Sequence, residues 1–270
     1  MPEALTPSQQ RAVTHDDGPL IVLAGPGTGK TRTIVHRVAH MVQNRGIEPE
    51  SIVALTFTVK AAAQLRERLA DIVGPLAAER IVVSPIHGFG RRIVRRFGDL
   101  LHLPPELELI DAAQSHRILT QIILKNGLFT SSRAEGMATL IRELDQVAAG
   151  LANRGLSFQR CREFEHAWHA ELERGPRPGQ SPDEHQAQCV LRARFADALV
   201  ALDLFARERW RRGLITFDDF LTLPLRLFQE HPGALAICRT DYRAFVVDEF
   251  QDCNPAQIEL LRLVAPGRPD

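Results

Sequence analysis

The sequence predicts an α/β protein: a parallel sheet wound with helices and interrupted by an all-helical insertion. Three observations carry this. Short apolar runs alternate with long helical patterns over the first hundred residues and again near residue 245. One of these runs, Leu20–Leu23, leads directly into the glycine-rich stretch Ala24-Gly-Pro-Gly-Thr-Gly-Lys-Thr31, the strand–loop–helix order of a phosphate-binding loop. Between about Gly98 and Arg212 the alternation stops, and helical periodicity alone remains.

In chain order, the expected strands are Leu20–Leu23, Ile52–Thr56, Ile81–Ser84 and Ala244–Val247, each a short β-branched or apolar run closed by turn residues or a motif. Thr31–Val42 is the helix after the loop. Ala61–Val73 carries Leu65, Leu69 and Ile72 at helical spacing, with arginines on its other face. Inside the insertion, Ser115–Lys125, Arg133–Ala149, Phe158–Arg174 and Glu184–Arg212 repeat apolar residues every three or four positions. The Pro/Gly-rich run from Gly175 to Pro182 breaks them and is expected to be the most protease-sensitive point. The expected division is therefore 1–97 with 213–270 as the nucleotide-binding core, and 98–212 as the helical insertion.

With 270 residues, 44% hydrophobic and 24% charged, the chain has material for one large or two ordinary folded cores. It contains neither an apolar run approaching the ~18 residues of a membrane span nor a signal-peptide pattern at Met1, so a cytoplasmic protein without a membrane partner is expected. Cys161, Cys189, Cys238 and Cys253 are widely spaced, which suits reduced thiols. Cys161, His166, His169 and Cys189 match no standard zinc spacing, and packed-helix or surface roles are expected of them. The formal net charge of zero gives no global sign of a nucleic-acid partner, so that reading must rest on a local patch. Thirty arginines stand against three lysines, yet Lys30 and Lys60 both fall inside motifs, where a compact point charge is useful.

The chemistry points to nucleotide hydrolysis. Glycines let the backbone N–H groups of Gly25, Gly27, Thr28, Gly29 and their neighbours approach phosphate oxygens, at the start of a helix whose dipole favours negative charge. Lys30 is placed to reach the β- and γ-phosphates, and the Thr31 hydroxyl to ligate Mg²⁺. The strand Ala244–Val247 ends in Asp248-Glu249, followed by Gln251-Asp252. A carboxylate at Asp248 can complete the metal site, and one at Glu249 can polarise the attacking water while the metal and Lys30 offset the phosphoryl charge. Farther along the first segment, Phe57 offers a stacking face, and Thr56, Thr58 and Lys60 offer phosphate contacts. Arg91, Arg92, Arg95 and Arg96 share one helix face, which reads either as a phosphate-backbone contact or as a solvated surface. Arg207, Arg209, Arg211 and Arg212 lie among Asp203 and Glu208 and read as a neutralised face.

Taken together these motifs resemble the UvrD/Rep-like superfamily 1 DNA helicases over essentially the whole chain. Leu5-Thr-Pro-Ser-Gln9 is similar to the family's Q motif, and the resemblance implies that Gln9 reads the adenine edge. The family commonly has Ala at the first loop position, as at Ala24, and implies that Arg32 packs near the base. Ala54 to Lys60 resembles a motif that contacts single-stranded DNA, with Val59 where Asn is usual. Pro85-Ile-His87-Gly-Phe89 resembles the next DNA-contacting motif, with Gly88 in place of a hydroxyl, and the same position favours Arg91 as a DNA contact. Asp248 to Asp252 matches the acidic motif, which places Gln251 beside the nucleotide. Ile215 to Phe220 resembles the segment that returns the chain to the core.

The resemblance implies a RecA-like lobe that binds ATP and Mg²⁺ and acts on single-stranded DNA or a 3′-tailed duplex in repair or replication, with 3′-to-5′ polarity. It also implies a further strand bearing a γ-phosphate-sensing Gln and a second, C-terminal motor lobe with arginine fingers, none of which follows the acidic motif here. The expectation is an N-terminal motor lobe with little turnover by itself. Two alternatives stay open: the motor subunit of a helicase–nuclease, and a nucleotide- or DNA-binding module without turnover.

Overall fold

The computed structural model describes residues 4–16, 18–130 and 136–265. Contacts divide the chain into two units. One takes the residues up to Phe97 and those from Leu223 onward, and the other runs from Gly98 to Thr222.

The first unit is built on a three-stranded parallel sheet of β1 (Ile52–Thr56), β2 (Val82–Pro85) and β5 (Ala244–Val247), in the order β2-β1-β5. β1 is central, and its five residues are all buried, as expected of a strand covered on both faces. Its register with β5 runs from Ile52 opposite Ala244 to Leu55 opposite Val247, and Asp248 N–H extends the ladder by donating to Leu55 O at 2.9 Å. On one face Ile52 and Ala54 pack under α2 (Lys30–Gln43) and α3 (Val59–Val73) through Val35, Val38, Met41, Leu65 and Leu69. Across the sheet, α5 (Ile86–Phe97) brings fully buried Phe89, whose ring meets Phe245 and Tyr242 edge-on at 5.8 and 5.2 Å. α1 (Pro7–Thr14) lies against α2, where Arg37 donates to the carbonyls of Val13 and His15 and closes the C-terminal end of α1. α4 (Pro75–Arg80), α11 (Pro232–Asp241) and α12 (Pro255–Val264) complete this unit.

One expected strand does not form. Leu20–Leu23 has no sheet assignment, and its side chains are exposed, Leu23 at 93%. A strand is defined by pairing, and among the described residues no neighbour supplies it: the edge of β5 away from β1 pairs with nothing.

The second unit is the helical insertion: α6 (Ala112–Lys125), α7 (Met137–Arg154), α8 (Phe158–Leu172) and α9 (Pro182–Arg211). Its core joins Ile118, Leu119 and Ile123 of α6 to Leu140, Ile141 and Leu144 of α7 and Ala201, Leu202 and Phe205 of α9. The expected start of α7 at Arg133 lies outside the described residues. This stretch is not wholly helical, because β3 (Glu108–Leu109) pairs in parallel with β4 (Leu214–Ile215). Gly213 fits only as glycine. Its φ is +73°, and a Cβ would stand 2.7 Å from the Glu106 carbonyl oxygen. Residues 213–222 thus lie with the helical unit rather than the core, and the chain crosses back inside α10 (Asp219–Glu230), between Thr222 and Leu223. Buried Arg209 holds this return in place, donating to Asp219 Oδ2 at 2.6 Å and to the Leu214 carbonyl oxygen.

Candidate active site

Parallel strands bring their carboxyl ends to one edge, and there the sheet presents Thr56–Lys60, His87 and Asp248–Glu249. The phosphate loop ends at the N-terminus of α2, with Gly29 as its N-cap at φ +84° and Lys30 as the first helical residue. No side chain caps this end, so its N–H groups are available to an anion.

Lys30 and Glu249, 219 residues apart in sequence, meet at 3.2 Å between Nζ and Oε2. Gln251 Nε2 donates to the same carboxylate oxygen at 2.5 Å. These two bonds, that of Gln251 first, hold the Glu249 carboxyl below its ordinary range. Both partners of the ion pair are about one-third exposed, at 32% and 38%, so it is a weak contact that a phosphate can replace. Glu249 takes φ +51°, the left-handed region, which turns the chain sharply after β5.

Asp248 behaves differently. Burial, then the neighbouring Glu249 charge, pushes its carboxyl up from the ordinary value, although it accepts from Glu249 N–H at 3.1 Å. A half-buried carboxylate crowded by another negative group is suited to a divalent cation. Its oxygens are hard donors of the kind Mg²⁺ prefers. Among the described residues no group of three or more His, Cys, Asp or Glu could hold a metal by itself.

Gln9 reaches the loop from α1. Its Oε1 accepts from Thr6 N–H at 2.9 Å in a capping box, and its Nε2 donates to the Thr28 carbonyl oxygen at 2.9 Å. The Thr28 hydroxyl donates to Gly25 O at 2.8 Å. Ala24 and Arg32 are half-buried, at the start of the loop and on the first turn of α2.

The residues expected to touch DNA divide into two groups. Phe57 is 55% exposed, and Lys60 is exposed on the first turn of α3. Thr56 is buried and donates to Thr58 O at 3.0 Å, while the Thr58 hydroxyl caps α3 by accepting from Ala61 N–H. Both hydroxyls therefore serve the turn after β1. His87 is half-buried, and burial lowers its pKa, favouring the neutral ring. An added Cβ at Gly88 would come within 3.2 Å of Ser84 Cβ, so Ser84 takes up the room a side chain there would need. On α5 the four arginines are exposed and share a face opposite Phe89, Ile93 and Phe97. Arg92 donates to Tyr242 Oη at 3.1 Å and Arg96 pairs with Asp241 at 2.5 Å. Among the described residues Arg91 and Arg95 have no protein partner. The other arginine cluster is neutralised as expected, Arg207 by Asp203 and Arg211 and Arg212 by Glu208.

Sequence reasoning missed Thr6, and it named Thr28 only among the loop residues whose N–H groups approach phosphate, not for its contact with Gln9. Thr6 was visible, since Thr-x-x-Gln before a helix is a capping signature. Thr28 acts through its carbonyl, which no side-chain pattern reveals.

Residues 5–270 match the family model of the UvrD/REP helicase N-terminal domain. The chain belongs to this family. Among UvrD/Rep relatives, it is 30% identical over 257 residues to the ATP-dependent DNA helicase PcrA of Leuconostoc citreum, covering 95% of this chain and 30% of that protein. It is 28% identical over 272 residues to PcrA of Bacillus subtilis, covering 97% of this chain and 31% of that one. The chain thus spans about a third of the length of these relatives. The fold is that of an α/β RecA-like helicase lobe carrying a helical insertion, as the UvrD/Rep resemblance implied. No helix among the described residues is long and apolar enough to cross a membrane.

Proposed function

We propose that this chain is the ATP-binding motor lobe of a 3′-to-5′ DNA helicase, with one face for nucleotide and one for single-stranded DNA. The observation that carries the nucleotide side is the meeting of Lys30, Glu249 and Gln251 at a single carboxylate oxygen beside the helix N-terminus.

The Gly25–Thr31 backbone and Lys30 would hold the ATP phosphates, with Gln9 and Arg32 at the base. Thr31 and Asp248 would hold Mg²⁺, which when bound offsets phosphate charge. Phosphates drawing on Lys30 free Glu249 from its ion pair, leaving a carboxylate with depressed basicity and a Gln251 hydrogen bond to orient a water. Phe57 would stack on a base, with Lys60, His87 and Arg91 along the backbone and Thr56 and Thr58 shaping the turn that presents them. The partner completing the motor is a second lobe of the same protein, because translocation needs two lobes that close and open. The names of the relatives support the helicase reading, and the polarity and a cytoplasmic, repair or replication role follow from the family resemblance.

Steady-state ATP hydrolysis, with and without single-stranded DNA and with Glu249→Gln as the blank, tests this reading. The expected result for this chain is Mg²⁺-dependent ATP binding with turnover near the blank. An absence of ATP binding in the unsubstituted chain overturns it.

A further inference from the structure

We infer that Gln9 is a positioning residue for the phosphate-binding loop, braced on the Thr28 carbonyl whether or not a base is present. This rests on reading Gly25–Thr31 as the nucleotide site. A carboxamide has two N–H donors and two acceptor lone pairs. Gln9 spends one of each inside the protein: Oε1 on Thr6 N–H, and Nε2 on Thr28 O, both at 2.9 Å. One donor and one lone pair remain, sufficient for two hydrogen bonds to an adenine edge without breaking the internal pair. The amide can therefore support the loop and read the base at once.

The internal contact also has a direction. In a planar trans peptide the C=O and the following N–H point oppositely. Holding Thr28 O on Gln9 turns the Gly29 N–H away from Gln9, the orientation needed for donation to a phosphate oxygen lying across the loop. The Thr28 hydroxyl then ties to Gly25 O at 2.8 Å, so a line of hydrogen bonds from Gln9 through Thr28 to Gly25 braces the loop. The approach is close, since a Cβ on Gly29 would stand 2.8 Å from the movable Gln9 Nε2, while the φ of +84° is what favours glycine there. The brace has a fixed base: Gln9 sits at the third position of α1, whose N-terminus is closed by the Thr6 capping box and whose C-terminus is held to α2 by Arg37.

A ligand without a base separates positioning from base reading. Calorimetric affinities for ATP and for inorganic tripolyphosphate, each with Mg²⁺, would be compared in the unsubstituted chain, Gln9→Ala and Gln9→Met. Met keeps the bulk against Gly29 and removes the donor, so it serves if Ala disturbs α1, and melting without ligand verifies folding. Loss of one hydrogen bond predicts tripolyphosphate binding weakened roughly five- to tenfold in both variants, with ATP weakened further. Unchanged tripolyphosphate affinity with weakened ATP would make Gln9 a base reader only and overturn the inference. If the unsubstituted chain binds neither ligand, the nucleotide-site reading fails, and this inference with it.

Discussion

Single residues separate an exposed ion pair from a structural one. Lys30–Glu249 is partly exposed and replaceable, whereas Arg209–Asp219 is buried to 6% and 5% and anchors the exit from the helical unit. Removing one partner of a buried pair strands a charge, so Asp219→Ala is expected to destabilise that unit by about 3–5 kcal/mol. Denaturant unfolding followed by circular dichroism checks this, and a loss below about 1 kcal/mol would refute it. Glu208 offers a pH test. Hydrogen bonds from Arg211 and then Arg212 lower its pKa from 4.5 to about 2. A depressed carboxyl pKa contributes stability above the unfolded value, and that contribution fades as pH falls from 4.5 through about 2. The melting-temperature difference between the protein and Glu208→Gln should therefore be largest above pH 4.5 and vanish only once pH falls below about 2. Its size should be modest, because the pair is solvent-screened. A difference that grows on acidification would contradict the assignment.

At the scale of elements, α5 shows how a basic face resolves once neighbours are known. Two of its four arginines are engaged by Tyr242 and Asp241, which leaves Arg91 and Arg95 as the pair suited to a phosphate backbone. Replacing both with Ala should weaken single-stranded DNA binding and flatten its log–log salt dependence by about 1 to 1.5, measured by fluorescence anisotropy across a salt series. An unaltered slope would mark the face as solvated only. The elements were unequally legible in the sequence. β1, β2 and β5 could be read because buried parallel strands are continuous apolar runs. Leu20–Leu23 has the same composition and forms no strand, because composition states a preference and pairing requires a neighbour. β3 and β4, two residues each, lie below any periodicity. The candidate site was legible where side chains form its contacts, at Lys30, Asp248 and Glu249. It was opaque where a backbone carbonyl does, at Thr28, or where a hydroxyl turns inward, at Thr56.

For the whole molecule, two features lack a strand partner among the described residues: the edge of β5 away from β1, and the exposed run Leu20–Leu23. The chain spans about a third of the length of the PcrA relatives it matches, so the pairing of these residues can be compared between it and a chain of that length. Hydrogen exchange should find the amides of residues 21–23 fast in this chain and protected in a chain of the relatives' length that adds a strand beside them. Equal exchange in both would argue against the added strand.

The scarcity of lysine has a practical use. Besides the α-amino group, an amine-selective acylating reagent meets only Lys30, Lys60 and Lys125. Lys30 is half-buried at the phosphate loop, Lys60 is exposed on the proposed DNA face, and Lys125 is exposed at the end of α6 in the other unit. Mass spectrometry of the labelled chain thus yields a three-point footprint, in which nucleotide should shield the first site, oligonucleotide the second, and the third serves as internal standard.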